Sequence, residues 1–322
     1  MRSLTPPPSP SHGRRPVDEV ALQRWRARVE QSNSPIWLHE EVGRRMGERL
    51  ALIKQAPLTA LIWGPPQGTG HDLKLVTQTW PQTRCTRVHA RVRGSNLESE
   101  PLRPDEGWVA KGKRLLKWRD RSAPALSTDQ VPHESAGLVW SNMGLHVQAD
   151  PVSVLRTWAQ CLTIDGFVMF STLGPGSLPE LRSLYQMEGW GPPLAPLVDM
   201  HDLGDMMVQA GLADPVVDQE TLTLTWATAA DALAELRTLG QNAATDRFPG
   251  LRTTRWRQRL EAALEASRHG RADGRVALSF EVVYGHAFKP LPKIRVAAQT
   301  AVPLEDMRTW IRGGRRSSGS AP

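Results

Sequence analysis

Apolar and polar positions follow helical and strand periods in turn along most of this chain. Leu38, Val42 and Met46 recur at helical spacing and predict an amphipathic helix, which Pro57 follows as a stop. The elements predicted first are a helix over 38–53, a strand over 58–63, a helix from about His71 and a strand over 86–92. Residues 94–134 are polar, basic and without a clear period, so the pattern predicts no element there.

The pattern is clearer in the second half of the chain. Asp150 followed by Pro151 is typical of a helix start, with a capping side chain and then a proline at the first helical position. Strands are predicted at 137–140, 167–172, 220–226 and 276–285, and helices at 152–162, 177–186, 200–210, 228–240 and 251–267. Alternating βα units with an antiparallel end predict an α/β fold, a doubly wound and mostly parallel sheet.

Composition at the two ends differs from the middle and sets the expected domain limits. Residues 1–33, with a proline-rich start, are expected to be a disordered leader, and 291–322 a loose basic tail. Residues 34–290 are then the folded domain. No apolar run reaches 18 residues, and the N-terminus lacks the apolar stretch of a secretory signal. Cys85 and Cys161 are far apart and form no metal pattern, so we expect a cytoplasmic protein without a membrane segment.

The net charge of +7 raises the question of an anionic partner. Nucleic-acid binding is one interpretation of a basic protein, but the arginines are spread along the chain and no aromatic-basic signature accompanies them. The charge therefore favours a basic protein with no nucleic-acid partner. Attraction for an acidic protein partner, such as a carrier protein, is the other consequence.

Three segments of the second half together resemble a known family. They are the strand end and following loop at 139–145, the helix start at Asp150 with its Gly166-bounded strand to Thr172, and the continuation over 170–182. The segments 199–211, 222–226 and 236–240 and the opening helix at 37–45 also fit. The resemblance is to class I S-adenosylmethionine-dependent methyltransferases, and within them to the biotin-pathway malonyl-carrier-protein methyltransferases. It covers roughly residues 35–290.

This resemblance implies a seven-stranded sheet with an antiparallel final strand, and S-adenosylmethionine as cofactor. It also implies an ester-forming reaction, in which a methyl group moves to the free carboxylate of a malonyl thioester on an acyl-carrier protein. The cofactor-binding candidates are Gly64, Gly68, Gly70, His89, Asp129 and Asn142, and the substrate-binding candidates are His146, Arg182 and Arg237. No catalytic residue is assigned, and the number of subunits is left open.

The cofactor half departs from the family pattern in its acids. Family members carry acidic residues in the strand before the glycine turn and at the end of the second strand, whereas Asp72 is the one acid here between Glu48 and Glu98. Two interpretations follow. The chain binds S-adenosylmethionine through its main chain and Asp72 or Asp129, or it has kept the fold and become a binding or scaffold protein without the cofactor.

Overall fold

The computed structural model describes residues 14–30, 37–54, 56–64, 66–89, 125–267 and 273–292. The chain divides into a compact unit Met1–Pro290 and a second unit Leu291–Pro322. All the helices and strands described below lie in the first unit. Among them no helix is both long and apolar enough to span a membrane.

Seven strands form one sheet in the order β3-β2-β1-β4-β5-β7-β6. They are β1 (Thr59–Trp63), β2 (Arg84–His89), β3 (Ala125–Ser127), β4 (Ala136–Ser141), β5 (Leu162–Leu173), β6 (Ala213–Trp226) and β7 (Val276–Phe288). The first five pair in parallel, while β7 runs antiparallel between β5 and β6. The prediction of a doubly wound, mostly parallel seven-stranded sheet with an antiparallel final strand is confirmed.

Eight helices are described around this sheet. They are α1 (Glu19–Glu30), α2 (Trp37–Leu50), α3 (Pro66–Thr79), α4 (Pro151–Cys161), α5 (Pro179–Met187), α6 (Met200–Gln209), α7 (Ala229–Leu239) and α8 (Thr254–Ala266). Successive side chains of β1 point to opposite faces, so Ile62 packs in one core cluster with Leu38 of α2, and Leu61 in another with Leu155 of α4. Both faces of the sheet are therefore covered, which explains the nearly continuous apolar run of this strand.

Several predicted boundaries shift when the chain folds. The helix expected from about His71 begins at Pro66, which places Gly68 and Gly70 inside its first turns. Strand β2 covers 84–89 rather than 86–92, and positions 90–92 lie outside the described residues. Strand β6 is twice as long as its apolar pattern predicted, because its first half lies at the sheet edge and carries exposed side chains.

The expectation of a disordered leader over 1–33 is wrong for its central part. Residues 19–30 form helix α1, in which Ala21, Leu22 and Trp25 are buried. Trp25 packs with Val147 of the loop that follows β4. The polar and arginine-rich sequence hid this element, because among residues 19–26, for which burial is described, three side chains are buried. Residues 1–13 and 31–33 lie outside the described part of the chain.

Candidate functional site

The carboxyl ends of β1, β2 and β4 meet at one edge of the sheet, where open α/β sheets bind ligands. Gly64 follows β1, and its backbone N–H donates to the carbonyl of Val88 on β2 at 3.0 Å. Gly70 has open space beside it, since a Cβ there would meet no atom within 4 Å. Gly68 lies between them in α3. In an open α/β sheet this edge is the ligand crevice, and Gly70 gives it exposed backbone on the side of α3.

His89 ends β2, the strand that pairs with β1, at the same edge of the sheet. Its Nδ1 is buried and has no hydrogen-bond partner among the described residues. Burial, and secondarily the charge of Arg87, hold the pKa of His89 below its usual range. The imidazole is therefore neutral near pH 7 and can donate one hydrogen bond and accept another. His89 occupies the strand-end position at which the family resemblance implied an acid.

Asn142 follows β4, and its side-chain amide is hydrogen-bonded to other residues of the chain. Its Nδ2 donates to the carbonyl of His39 at 2.7 Å and to Asp72 Oδ1 at 3.0 Å, and its Oδ1 accepts from Ser171 Oγ at 2.9 Å. The side chain is buried with all of these bonds satisfied. The Asn142 side chain thus ties α2, α3, β4 and β5 together, and its expected role toward the cofactor stays a prediction.

The two acids considered for the cofactor are also engaged. Asp72 is buried against Asn142, and desolvation raises its pKa to about 7. Asp129 lies in a single 3₁₀ turn after β3, exposed, and accepts a hydrogen bond from Ser127 Oγ. Neither carboxylate is at the end of β1 or β2. Within the described residues, the ends of β1 and β2 themselves carry neutral groups, and Asp129 lies exposed just past Ser127, the residue paired with His89.

A cavity of about 620 Å³ lies beside the loop that follows β4. Its walls come from the N-terminal segment, the end of β5, helices α5, α7 and α8, and the loops between them. Most of the wall is apolar: Leu173, Leu178, Leu181, Tyr185, Leu194, Leu197, Leu233, Leu236, Leu239, Trp256, Leu260 and Phe280. Such a volume and such walls suit a flexible organic ligand.

Cationic and polar side chains interrupt this apolar wall. His146 and Arg237, both predicted as substrate residues, line the cavity. His146 Nδ1 is buried without a partner in the described structure, and burial together with Arg15 lowers the pKa of His146 to about 4. Arg237 is exposed at the end of α7. The structure thus brings a neutral imidazole and a solvated cation to the same cavity.

Arg182, the third predicted substrate residue, is not one of the residues lining this cavity. Its Nε donates to the carbonyl of Ser177 at 3.0 Å, and its buried Nη2 has no partner within the described residues. Its neighbour Leu181 takes the cavity position instead, because successive residues of α5 face different directions.

Other cavity cations were missed by the sequence analysis. Arg15 lines the cavity from the N-terminal segment, Arg252 from the loop before α8, and Arg257 from the first turn of α8. The Arg252 guanidinium lies 4.6 Å from the centre of the Trp256 ring and donates to the carbonyl of Trp190 at 2.6 Å. A closely spaced Arg-x-x-x-Trp pattern was the available signal for this last pair, whereas nothing local distinguished Arg15 from its neighbours.

Fold and site together define the class of protein. An open sheet of this strand order, antiparallel only at β7, is the fold of class I S-adenosylmethionine-dependent methyltransferases. The crevice at the carboxyl ends of β1 and β2 and the cavity beside β4 lie on the edge where such a sheet binds its ligands.

Curated relatives identify the family within that class. The chain is 35% identical over 280 residues to the malonyl-acyl-carrier protein O-methyltransferase of Laribacter hongkongensis, covering 85% of this chain and 88% of the relative. It is 32% identical over 260 residues to the enzyme of that name from Methylovorus sp., covering 80% and 84%. No family model matches the chain. The chain belongs to the malonyl-acyl-carrier protein O-methyltransferase family, and S-adenosylmethionine is the cofactor of that family.

The crevice can be compared with what this cofactor requires. The unpartnered Nδ1 of His89 is a neutral group that suits a ribose hydroxyl or an adenine edge. The open backbone beside Gly70 suits close approach of a ligand. The residues fit an adenosyl group held by neutral hydrogen bonds in place of carboxylates.

Proposed function

We propose that this chain transfers the methyl group of S-adenosylmethionine to the free carboxylate of a malonyl thioester carried by acyl-carrier protein. The observation that carries the proposal is the cavity of about 620 Å³, apolar along most of its wall and interrupted by His146 and by arginines. A pantetheine arm with a carboxylate end is an extended and mostly uncharged chain. Apolar walls with a few placed polar groups are the typical surroundings for such a ligand.

The cavity side chains bind and orient the acyl group in this proposal. A malonyl carboxylate is ionised near pH 7 and is already a nucleophile, so no general base is required. S-adenosylmethionine supplies an electrophilic methyl group on a sulfonium leaving group. The contribution of the protein is then proximity and alignment, for which buried and fixed contacts are effective. The Nε2 of neutral His146 faces the carbonyl of Leu239 at 3.5 Å and carries the ring proton, so its unpartnered Nδ1 can accept a hydrogen bond from an amide N–H of the pantetheine arm.

On the cofactor side we assign binding to the backbone along Gly64, Gly68 and Gly70 and to the His89 ring. This assignment is supported by the open space at Gly70 and by the unpartnered Nδ1 of His89. Arg237 is assigned to the cavity mouth, where its exposed guanidinium can meet the phosphate of the carrier arm. With these substrates, the site of action is the cytoplasm.

The test uses the purified full chain with malonyl-acyl-carrier protein and S-adenosylmethionine labelled in its methyl group. We expect label in a base-labile methyl ester of the malonyl carrier and none in acetyl carrier, which lacks the free carboxylate. Calorimetric titration with S-adenosylmethionine measures the cofactor step separately. A folded chain that yields no methyl ester and no heat at millimolar cofactor would contradict the proposal and favour the scaffold interpretation, which no comparison with known proteins supports.

A further inference from the structure

The N-terminal segment is fastened to the rim of the cavity at several points. The Arg15 N–H donates to the carbonyl of Ala149 at 2.8 Å, and the Asp18 N–H donates to the carbonyl of Ala243 at 2.8 Å. Arg247 Nη2 donates to Asp18 Oδ2 at 2.6 Å. Val17 forms an isolated antiparallel bridge with Ala244. These contacts hold the Arg15 side chain in the cavity wall as a defined part of the fold.

Arg15 is a buried cation whose hydrogen-bond acceptors are all backbone carbonyls. Its Nε and Nη2 donate to Pro196 O at 3.0 and 2.6 Å, and its Nη1 donates to Gln148 O at 3.1 Å and to His146 O. Its exposed fraction is 9%. Within the described part of the chain, Arg15 makes no ion pair. Burial lowers its pKa to about 10, so the guanidinium is still charged near pH 7.

A buried charge without a counter-charge is costly, and a fold keeps one where a ligand supplies the opposite charge or where the hydrogen bonds compensate. The other cavity cations differ from Arg15 in this respect. Arg257 pairs with Glu261 at 2.7 Å, Arg237 is exposed to water, and Arg252 is only half-buried. Among the described cavity cations, Arg15 therefore combines burial with the lack of a carboxylate partner.

We propose that Arg15 is the specificity-determining residue that recognises the free carboxylate of the acyl group. This inference rests on the proposed function above and goes beyond it by separating the two anions of the substrate. The reacting carboxylate pairs with Arg15 beside the loop that follows β4, and the phosphate of the arm stays at the exposed Arg237. The reacting end belongs at Arg15 because the guanidinium donates to the carbonyl of His146, four residues beyond the Asn142 strand end.

The bonding of Arg15 also leaves the carboxylate reactive. A guanidinium has five N–H groups, and four of those of Arg15 are used by the protein carbonyls. One N–H on Nη2 remains for the ligand. A single charge-assisted hydrogen bond holds one carboxylate oxygen, while the other oxygen keeps its lone pairs for the attack on the methyl group.

The test compares binding of S-malonyl-pantetheine and S-acetyl-pantetheine to the full chain by calorimetry. Both compounds lack the carrier and the phosphate, and they differ in the carboxylate. We expect the wild type to bind the malonyl compound about 10- to 100-fold more tightly, the range for a hydrogen bond between charged groups. Arg15→Gln is expected to reduce this preference to about threefold or less, with binding of the acetyl compound unchanged. Arg15→Lys, which keeps the charge, is expected to retain most of it.

Arg26→Gln is the matched control. Arg26 fastens the same segment to the same loop, through the carbonyl of Val147 at 2.7 Å and Gln148 Oε1 at 2.6 Å, but does not line the cavity. Retention of the malonyl preference in Arg26→Gln is expected. The proposal is overturned if Arg15→Gln keeps the preference, if Arg15→Lys loses it as fully as Arg15→Gln, or if Arg26→Gln loses it too.

Thermal unfolding establishes that each variant is folded. If Arg15→Gln does not fold, Arg15→Lys is compared with Arg237→Gln. Loss of the preference for the malonyl compound in Arg237→Gln would assign the carboxylate to the exposed Arg237 and refute the proposal. Failure of the proposed function looks different. A chain that prefers the malonyl compound but forms no methyl ester contradicts methyl transfer alone, whereas ester formation independent of Arg15 contradicts only the role of Arg15.

Discussion

At the scale of single residues, the end of β4 is a packed junction rather than an open ligand site. Asn142 bonds to three other elements, and Gly43 lies so close that a Cβ there would be 2.8 Å from Asn142 Nδ2 and 2.9 Å from Asp72 Oδ1. The single acid of the cofactor half is used in this junction. Asp72 is therefore not available at the ends of β1 and β2, because its carboxyl group joins α3 to the residue that follows β4.

Replacement of Asp72 by asparagine should change how stability depends on pH. Desolvation raises the pKa of folded Asp72 to about 7, above the unfolded value near 3.9. Between about pH 4 and pH 7 the folded state binds the extra proton, so the contribution of Asp72 to stability falls as pH rises and is constant above pH 7. We expect Asp72→Asn to gain about 2–4 kcal/mol relative to wild type between pH 4 and pH 8.

Urea denaturation at several pH values measures this difference, and Asp205→Asn, at an exposed position of α6, is the matched control. A difference between wild type and Asp72→Asn that does not vary with pH would contradict the buried, protonated carboxyl.

His89 allows a direct test of the cofactor crevice. If its neutral ring bonds a ribose hydroxyl, His89→Ala should weaken S-adenosylmethionine binding about 3- to 10-fold, the usual value of one neutral hydrogen bond. His89→Asp should restore or exceed wild-type affinity, because a carboxylate accepts from both hydroxyls. Calorimetric titration measures both variants, with circular dichroism as the folding control. Equal affinity of wild type and His89→Ala would remove this residue from the site.

At the scale of elements, the helix that follows β4 shows how local sequence and packing cooperate. Asp150 caps α4 by accepting a hydrogen bond from the Ser153 N–H at 2.9 Å, and Pro151 begins the helix. The same helix buries Leu155 and Trp158 against the sheet. The cap was predicted from a short motif, whereas α1 was missed because its few buried side chains depend on a loop more than 100 residues away.

Removal of this cap should weaken the domain without affecting the cavity. Asp150→Ala is expected to lower the free energy of unfolding by about 1 kcal/mol, since one N–H of the first turn loses its partner. Asp150→Asn, which keeps a capping oxygen, should lose much less. Urea denaturation with an unchanged slope gives both values. A loss above about 3 kcal/mol would indicate that Asp150 has a role beyond capping.

At the scale of the whole molecule, part of the positive charge of this basic chain lies around the cavity. Arg237, Arg252 and Arg257 come from α7, α8 and the loop before α8, and they meet at one cavity. An acidic protein partner was one of the consequences drawn from the charge alone, and the acyl-carrier protein proposed above as substrate would be such a partner. Rim charges of this kind affect the encounter and the phosphate contact more than the chemical step.

Removing the charge of the exposed cavity residue Arg237 should therefore raise KM more than it lowers kcat. We expect Arg237→Gln to raise KM for malonyl-acyl-carrier protein about 3- to 10-fold with kcat nearly unchanged, and to weaken the dependence of KM on salt. Arg255→Gln makes the same change of charge on α8 outside the cavity, so its KM should change less than twofold. Steady-state rates at 50 and 300 mM salt measure this, and equal effects of the two variants would contradict a specific contact of Arg237.

The order of helices and strands, the sheet type and the family could be predicted from the sequence alone. Each rests on features that neighbouring residues show by themselves, such as the apolar run of β1, the Asp150-Pro151 cap and the motif segments after position 139. Gly64, Gly70, His89 and His146 were predicted for the same reason, as residues near strand ends.

The tertiary structure alone decided which polar groups are available to a ligand. The side chains of Asn142 and Asp72, expected near the cofactor by position, bond to each other, and Arg182 is not among the residues that line the cavity. Arg15 looked like part of a leader, yet it reaches the cavity through contacts with carbonyls more than 130 positions along the chain. Hydrogen-bond satisfaction and burial depend on distant partners, so local sequence carries no record of them.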